Sequence, residues 1–123
     1  MILVDTSVWV DHLRDNDARL AELLGAGMVL AHPSVIGELA LGNLKQRRIL
    51  VQALQRLPCA IVATDQETLH LIERETLFGM GVGYVDAQLL AAARLTPGST
   101  LWTRDRRLQS VARRMSLAMP LAN

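Results

Sequence analysis

The sequence predicts a single α/β domain over residues 1–123, built on a central parallel sheet of four to five short strands with helices on both faces. Three observations carry this. Apolar runs of strand length alternate with amphipathic stretches of helical length, the pattern of strands joined by helical crossovers. The strand candidates are apolar throughout, as in a sheet buried on both faces. The chain has 123 residues, 50% hydrophobic and 20% charged; that length suits one domain, and that composition excludes a disordered chain.

Met1-Ile2-Leu3-Val4 is a buried strand closed by Asp5. Thr6 and Ser7 are good helix N-caps, and Val8 to Arg14 reads as the first helix. Asp17 to Leu24 carries Leu20, Leu23 and Leu24 at helical spacing, and the glycines at 25 and 27 stop it. Met28-Val29-Leu30-Ala31 is the second strand. His32-Pro33-Ser34 opens the next helix, with Pro33 near the first turn, and Gly42-Asn43 ends or bends it. Ile49, Leu50, Ala53, Leu54 and Leu57 form a further amphipathic stripe up to Pro58. Cys59-Ala60-Ile61-Val62 is the third strand. Thr64 and Glu67 have the spacing of a capping box, and the helix they start is expected to run through Leu69, Ile72 and Leu77. Gly79, Gly81 and Gly83 break the chain before an Ala/Leu-rich helix over Val85 to Leu95. Thr96-Pro97-Gly98 is a turn, Ser99 to Thr103 the fourth strand, Asp105 to Met115 the last helix, and Leu117-Ala118-Met119 a short final strand.

Several classes of function are excluded. The single cysteine, Cys59, leaves no disulfide framework or cysteine-rich zinc site; it suits a reducing, cytoplasmic compartment and a place in the core. No apolar run approaches the ~18 residues of a membrane-spanning helix, and the first residues do not read as a secretory leader. The net charge is +1, so any contact with nucleic acid must come from a local patch. The only aromatics are Trp9, Phe78, Tyr84 and Trp102, too few for a platform that stacks bases. The two tryptophans flank acids and are expected to wall the site or the core. The apolar fraction is high enough to suggest a subunit or partner interface.

In open α/β sheets, ligands bind at the carboxyl ends of the strands. Asp5 closes the first strand, Asp105 lies two residues past the fourth, and Asp86 stands in the first turn of the helix after the glycines. Glu38 sits inside the third helix, ~60° from Val35 and so at the margin of its apolar stripe. Each has a plain structural use: an aspartate suits a helix N-terminus, and an edge glutamate reaches solvent. Together they suggest more. Two unit charges ~4 Å apart repel by roughly 4 kcal/mol at an effective dielectric of 20, against about 5–15 kcal/mol of net stability for a whole domain. A divalent cation relieves that repulsion, and oxygen-only ligands select Mg2+ or Mn2+. Such a site activates water and stabilises charge on a transferring phosphoryl group, so a phosphodiester is the natural substrate.

Four segments carry a resemblance: Met1-Ile2-Leu3-Val4-Asp5-Thr6-Ser7-Val8-Trp9-Val10, Gly37-Glu38-Leu39-Ala40-Leu41-Gly42, Gly83-Tyr84-Val85-Asp86-Ala87-Gln88-Leu89-Leu90 and Leu101-Trp102-Thr103-Arg104-Asp105-Arg106-Arg107-Leu108. In order and spacing they resemble the four motifs of PIN-domain nucleases, and among these the VapC-type toxins of toxin–antitoxin pairs. The resemblance implies a three-layer α/β/α PIN-like fold and a metal-dependent endoribonuclease. It also implies a homodimer neutralised by a VapB-type antitoxin. Carried over by position, Asp5, Glu38, Asp86 and Asp105 would be both the catalytic and the metal-binding acids. Thr6 and Thr103 would be hydroxyls that hold those acids without touching the ion.

Arg104, Arg106, Arg107, Arg113 and Arg114 crowd the last helix. They form either a solvated face or a surface that steers RNA phosphates toward Asp105. Three rival classes of protein make different demands: a HAD-type phosphatase would want an aspartate at position 7, where Ser7 stands. A receiver domain would need an acidic pair after the first strand and a late lysine, but the only lysine is Lys45. A non-catalytic α/β partner-binding module would take up no Mn2+. Gly79 to Gly83 lacks dinucleotide-loop spacing and follows a helix.

Overall fold

The computed structural model describes residues 1–120. Its sheet has three parallel strands, β1 (Ile2–Val4), β2 (Val29–Leu30) and β3 (Thr100–Trp102), in the order β2-β1-β3. Ile2 pairs with Val29 on one side and Thr100 on the other, and Val4 pairs with Trp102. Successive residues of a strand point to opposite faces. Leu3 and Val4 are both fully buried, as are almost entirely Val29 and Leu30, and Leu101 and Trp102. Both faces are therefore covered, giving the three layers.

The two further strands expected from sequence are reduced to one parallel bridge each, Ala31 with Cys59 and Leu101 with Ala118. At the first, Ala60 N–H reaches Ala31 O at 2.9 Å, but the next donor, Ile61 N–H, leaves the sheet for Thr96 Oγ1 at 2.9 Å. At the second, Met119 N–H reaches Leu101 O at 2.9 Å, and Pro120 has no donor to continue the ladder. Cys59 is exposed, not in the core. Along this edge Ala60 turns inward while Cys59, Ile61 and Val62 face out.

Seven helices lie among the described residues: α1 (Thr6–Asp15), α2 (Ala18–Gly25), α3 (Pro33–Leu41), α4 (Arg47–Gln55), α5 (Asp65–Arg74), α6 (Tyr84–Leu95) and α7 (Arg106–Arg114). The capping box of α5 forms in both directions, Glu67 N–H to Thr64 Oγ1 at 3.0 Å and Thr64 N–H to Glu67 Oε1 at 2.9 Å. The same helix stops three residues before the expected Leu77. Thr76 takes the left-handed conformation, with φ +55°, and Leu77 N–H closes back on Ile72 O at 2.9 Å. That is a Schellman cap, whose residue after the left-handed position packs against the last turn. Leu77 is buried by this cap and not by a continuing stripe.

α6 is apolar around most of its girth: Ala87, Leu89, Leu90, Ala91, Ala92 and Ala93 are all buried. A helix of that kind belongs inside a protein. Burying each leucine contributes about 1.5–3 kcal/mol, so α6 is a firm mount for Asp86 near its start. No helix among the described residues is long and apolar enough to cross a membrane.

Candidate active site

Asp5 stands where β1 runs into α1. Its N–H donates to Trp102 O at 2.9 Å, continuing the pairing with β3. Thr6 and Ser7, expected as caps, are the first helical residues, and Asp5 takes the N-cap position. Its side chain does not cap, however. It is 7% exposed, and Oδ2 accepts two hydroxyls, Ser7 Oγ and Thr103 Oγ1, each at 2.8 Å. A buried carboxylate needs such donors.

The two hydroxyls also receive bonds. Thr103, itself buried, accepts Asp105 N–H at 3.1 Å. Ser7 accepts Arg104 N–H at 3.0 Å. The turn carrying Asp105 is thus pinned to Asp5 through two side chains. Sequence reading singled out Thr103 but gave Ser7 no part in the site. The signal was its place two residues after an aspartate, where a short hydroxyl readily folds back on the carboxylate.

Thr6 Oγ1 donates to Glu38 Oε1 at 2.6 Å, joining α1 to α3. Asp86 sits at the third position of α6, where its Oδ2 accepts Gly83 N–H at 3.0 Å. Asp105 caps α7 through Oδ1, which accepts Leu108 N–H at 3.0 Å. The plain structural use therefore holds for Asp86 and Asp105, and fails for Asp5.

The structure brings the four acids into one electric field. The Asp86 carboxyl is pushed above the usual aspartate range, first by burial and then by the charges of Asp5, Asp105 and Glu38; the Gly83 N–H pulls the other way. Among the described residues no three acids, histidines or cysteines are drawn together closely enough to hold a metal ion; Glu38 and Asp105 are exposed and Asp86 is half-buried. Each acid anchors one oxygen on a protein donor, and none of the four has a salt bridge among the described residues.

A model that matches residues 2–114 is that of the PIN domain. This chain belongs to the PIN-domain family. Ribonuclease VapC32 of Mycobacterium tuberculosis, in strains CDC 1551 / Oshkosh and ATCC 25618 / H37Rv, is 50% identical to it over 119 residues. The match covers 97% of this chain and 96% of the relative. All four acids lie within the matched PIN segment. Family membership also sets aside the receiver reading.

The arginines of this PIN domain divide. Arg104 is committed to ion pairs, with Asp11 at 2.7 Å and with Asp17, and its guanidinium lies 5.6 Å from the centre of the Trp102 ring. Its charge is spent on joining α1, α2 and β3. Arg114 donates to Glu75 O at the end of α5. Arg106, Arg107 and Arg113 are exposed with no acidic partner among the described residues. Arg107 lies over Gly81, where a Cβ would meet its Cδ at 2.6 Å and its Nη1 at 2.7 Å. Gly81, with φ +78°, both admits the arginine and takes a backbone shape other residues avoid. Trp9 and Trp102 are both core residues.

Proposed function

We propose that this chain is a divalent-metal-dependent endoribonuclease toxin that hydrolyses RNA phosphodiester bonds and is neutralised by a cognate VapB-type antitoxin. The observation that carries the reading is the way the four acids are held: each accepts a hydrogen bond from a neutral donor and none has a salt bridge among the described residues, and the Asp86 carboxyl is raised first by burial and then by the charges of Asp5, Asp105 and Glu38. Membership of the PIN family and the likeness to a VapC ribonuclease support it.

The donor set suits a hard cation. It offers carboxylate oxygens without thiolate or imidazole, and each acid has a second oxygen beyond the one it anchors. Asp5, Glu38, Asp86 and Asp105 would hold Mg2+ or Mn2+. Such an ion, when bound, lowers the pKa of water and opposes charge on a transferring phosphoryl group. The protein's part is positional. Ser7 and Thr103 fix Asp5, Thr6 fixes Glu38, and the backbone donors of Gly83 and Leu108 fix Asp86 and Asp105. Arg106, Arg107 and Arg113 supply the positive surface that draws the RNA backbone in. The exposed Leu41 and Ile49, at 90% and 63%, are the apolar surface that a second copy in a homodimer, or the antitoxin, would cover. The place of action is the cytoplasm.

The test is cleavage mapping on total RNA with Mn2+ supplied or chelated, with Asp5→Asn as control. Cleavage only by the unsubstituted protein with metal supports the reading. Equal cleavage in both proteins with metal chelated overturns it.

A further inference from the structure

Glu38 is mounted differently from the other three acids. Asp5 and Asp105 stand just past strands, and Asp86 opens the buried helix α6. Glu38 sits six residues into α3, so its place depends on where that helix lies. The apolar contact of α3 with the core is made by Val35 and Leu39, one turn apart and buried, with Ile36 partly buried beside them. Apolar contacts are non-directional, so the exact rotation and height of α3 call for directional bonds as well.

A second line of contacts supplies them. Ser34 and Glu38 are four residues apart and share one face of α3. Ser34 Oγ donates to Gln88 Oε1 of α6 at 2.9 Å, and Glu38 Oε1 accepts from Thr6 of α1 at 2.6 Å. The helix is tied one turn apart to the two helices that begin at Asp5 and near Asp86. Its start is fixed as well. His32, 1% exposed and held neutral by burial, caps α3 by accepting Ser34 N–H on Nδ1 at 3.0 Å.

We infer that Ser34 and Gln88 are a positioning pair that sets α3 against α6 and so holds Glu38 among the acids. The inference rests on the metal-site reading above. Groups that orient metal ligands are worth about 10–100-fold in metal affinity when removed. Ser34 acts through the helix, so the low end of that range applies.

The experiment is Mn2+ calorimetry on the full chain, with melting temperature read in parallel. Ser34→Ala should weaken Mn2+ binding by about 10-fold, and Ser34→Thr, which keeps the hydroxyl, should restore it. In a Glu38→Gln background, Ser34→Ala should cost nothing further. Should Ser34→Ala fail to fold, Gln88→Met, which removes the acceptor at similar volume, is read the same way. Unchanged affinity in a folded variant overturns the positioning role, as does a full loss that persists in Glu38→Gln. No Mn2+ heat in the unsubstituted protein overturns the metal-site reading itself, and this inference with it.

Discussion

Thr103→Val isolates the contribution of one buried hydroxyl to the site. Valine matches the shape of threonine, so no large cavity opens, and what is lost is the hydrogen bonding of Oγ1: a long contact with Ser7 Oγ at 3.4 Å and two shorter bonds. The bond donated to Asp5 Oδ2 at 2.8 Å goes to a carboxylate; such bonds contribute about 1.5–3 kcal/mol. The bond accepted from Asp105 N–H at 3.1 Å joins neutral groups and contributes about 0.5–1.5 kcal/mol. Ser7 still serves Asp5, so the carboxylate is not stripped. A loss of about 2–4 kcal/mol follows, a large part of the ~5–15 kcal/mol that holds such a domain together. The melting temperature should fall by roughly 10 °C or more. Urea unfolding at pH 7 with chelator present measures the loss, and Thr103→Ser should recover most of it. A loss below about 0.5 kcal/mol, the level of an ordinary surface change, would refute the idea that this hydroxyl joins the Asp5 and Asp105 segments.

Asp5→Asn should abolish RNA cleavage yet leave the melting temperature nearly unchanged, because the amide oxygen can still accept from Ser7 and Thr103. Mn2+ at 100 times its dissociation constant should stabilise the unsubstituted protein by about 2.7 kcal/mol and Asp5→Asn by much less, read as a shift in thermal unfolding. Asp86→Asn should make the metal-free protein more stable at neutral pH. The folded pKa of Asp86 lies above its unfolded value, so the folded state binds the extra proton, and stability falls as pH rises through the folded pKa. The gain should therefore be present at pH 7 and vanish below the ordinary aspartate range of about 4; urea midpoints at the two pH values decide it. Arg107→Glu should flatten the salt dependence of RNA binding, whereas Arg104→Glu should lower the melting temperature by breaking the pairs with Asp11 and Asp17. An unchanged salt slope in Arg107→Glu would make that arginine part of a solvated face.

The parts of this molecule legible in its sequence are those where one local rule decides. Asp5 and Asp105 could be placed because each follows an apolar run of strand length, and Asp86 because three glycines just before it mark where a new helix starts. Thr64 and Glu67 announced a cap that forms. What sequence misjudged depends on partners far along the chain. Cys59 looked like core because its neighbours are apolar, but an edge segment with one bridge buries only the residue that turns inward. Leu77 matched the stripe of α5 because it is buried, though by a cap that ends the helix. Arg104 looked like a member of a basic surface because its partners, Asp11 and Asp17, lie 93 and 87 positions away. Ser7 was invisible as a site residue because a serine at that place starts helices equally well.

The manner in which the acids are held bears on what the site is for. A protein that needed its carboxylates only for structure would pair them with arginine or lysine, and this chain carries 13 such residues. The nearest in sequence, Arg104 and Arg106, flank Asp105 directly. Yet Arg104 turns away to Asp11 and Asp17, and the donors that do reach the acids are neutral: three hydroxyls and two backbone N–H groups. Neutral donors fix a carboxylate in place without cancelling its charge. Negative charges so fixed repel one another, and the charges of Asp5, Asp105 and Glu38 add to burial in raising the Asp86 carboxyl. Stability alone gives no reason to keep that arrangement, because one arginine turned inward would relieve it. It becomes intelligible if the compensating charge arrives from solution and must be free to meet a phosphate once there.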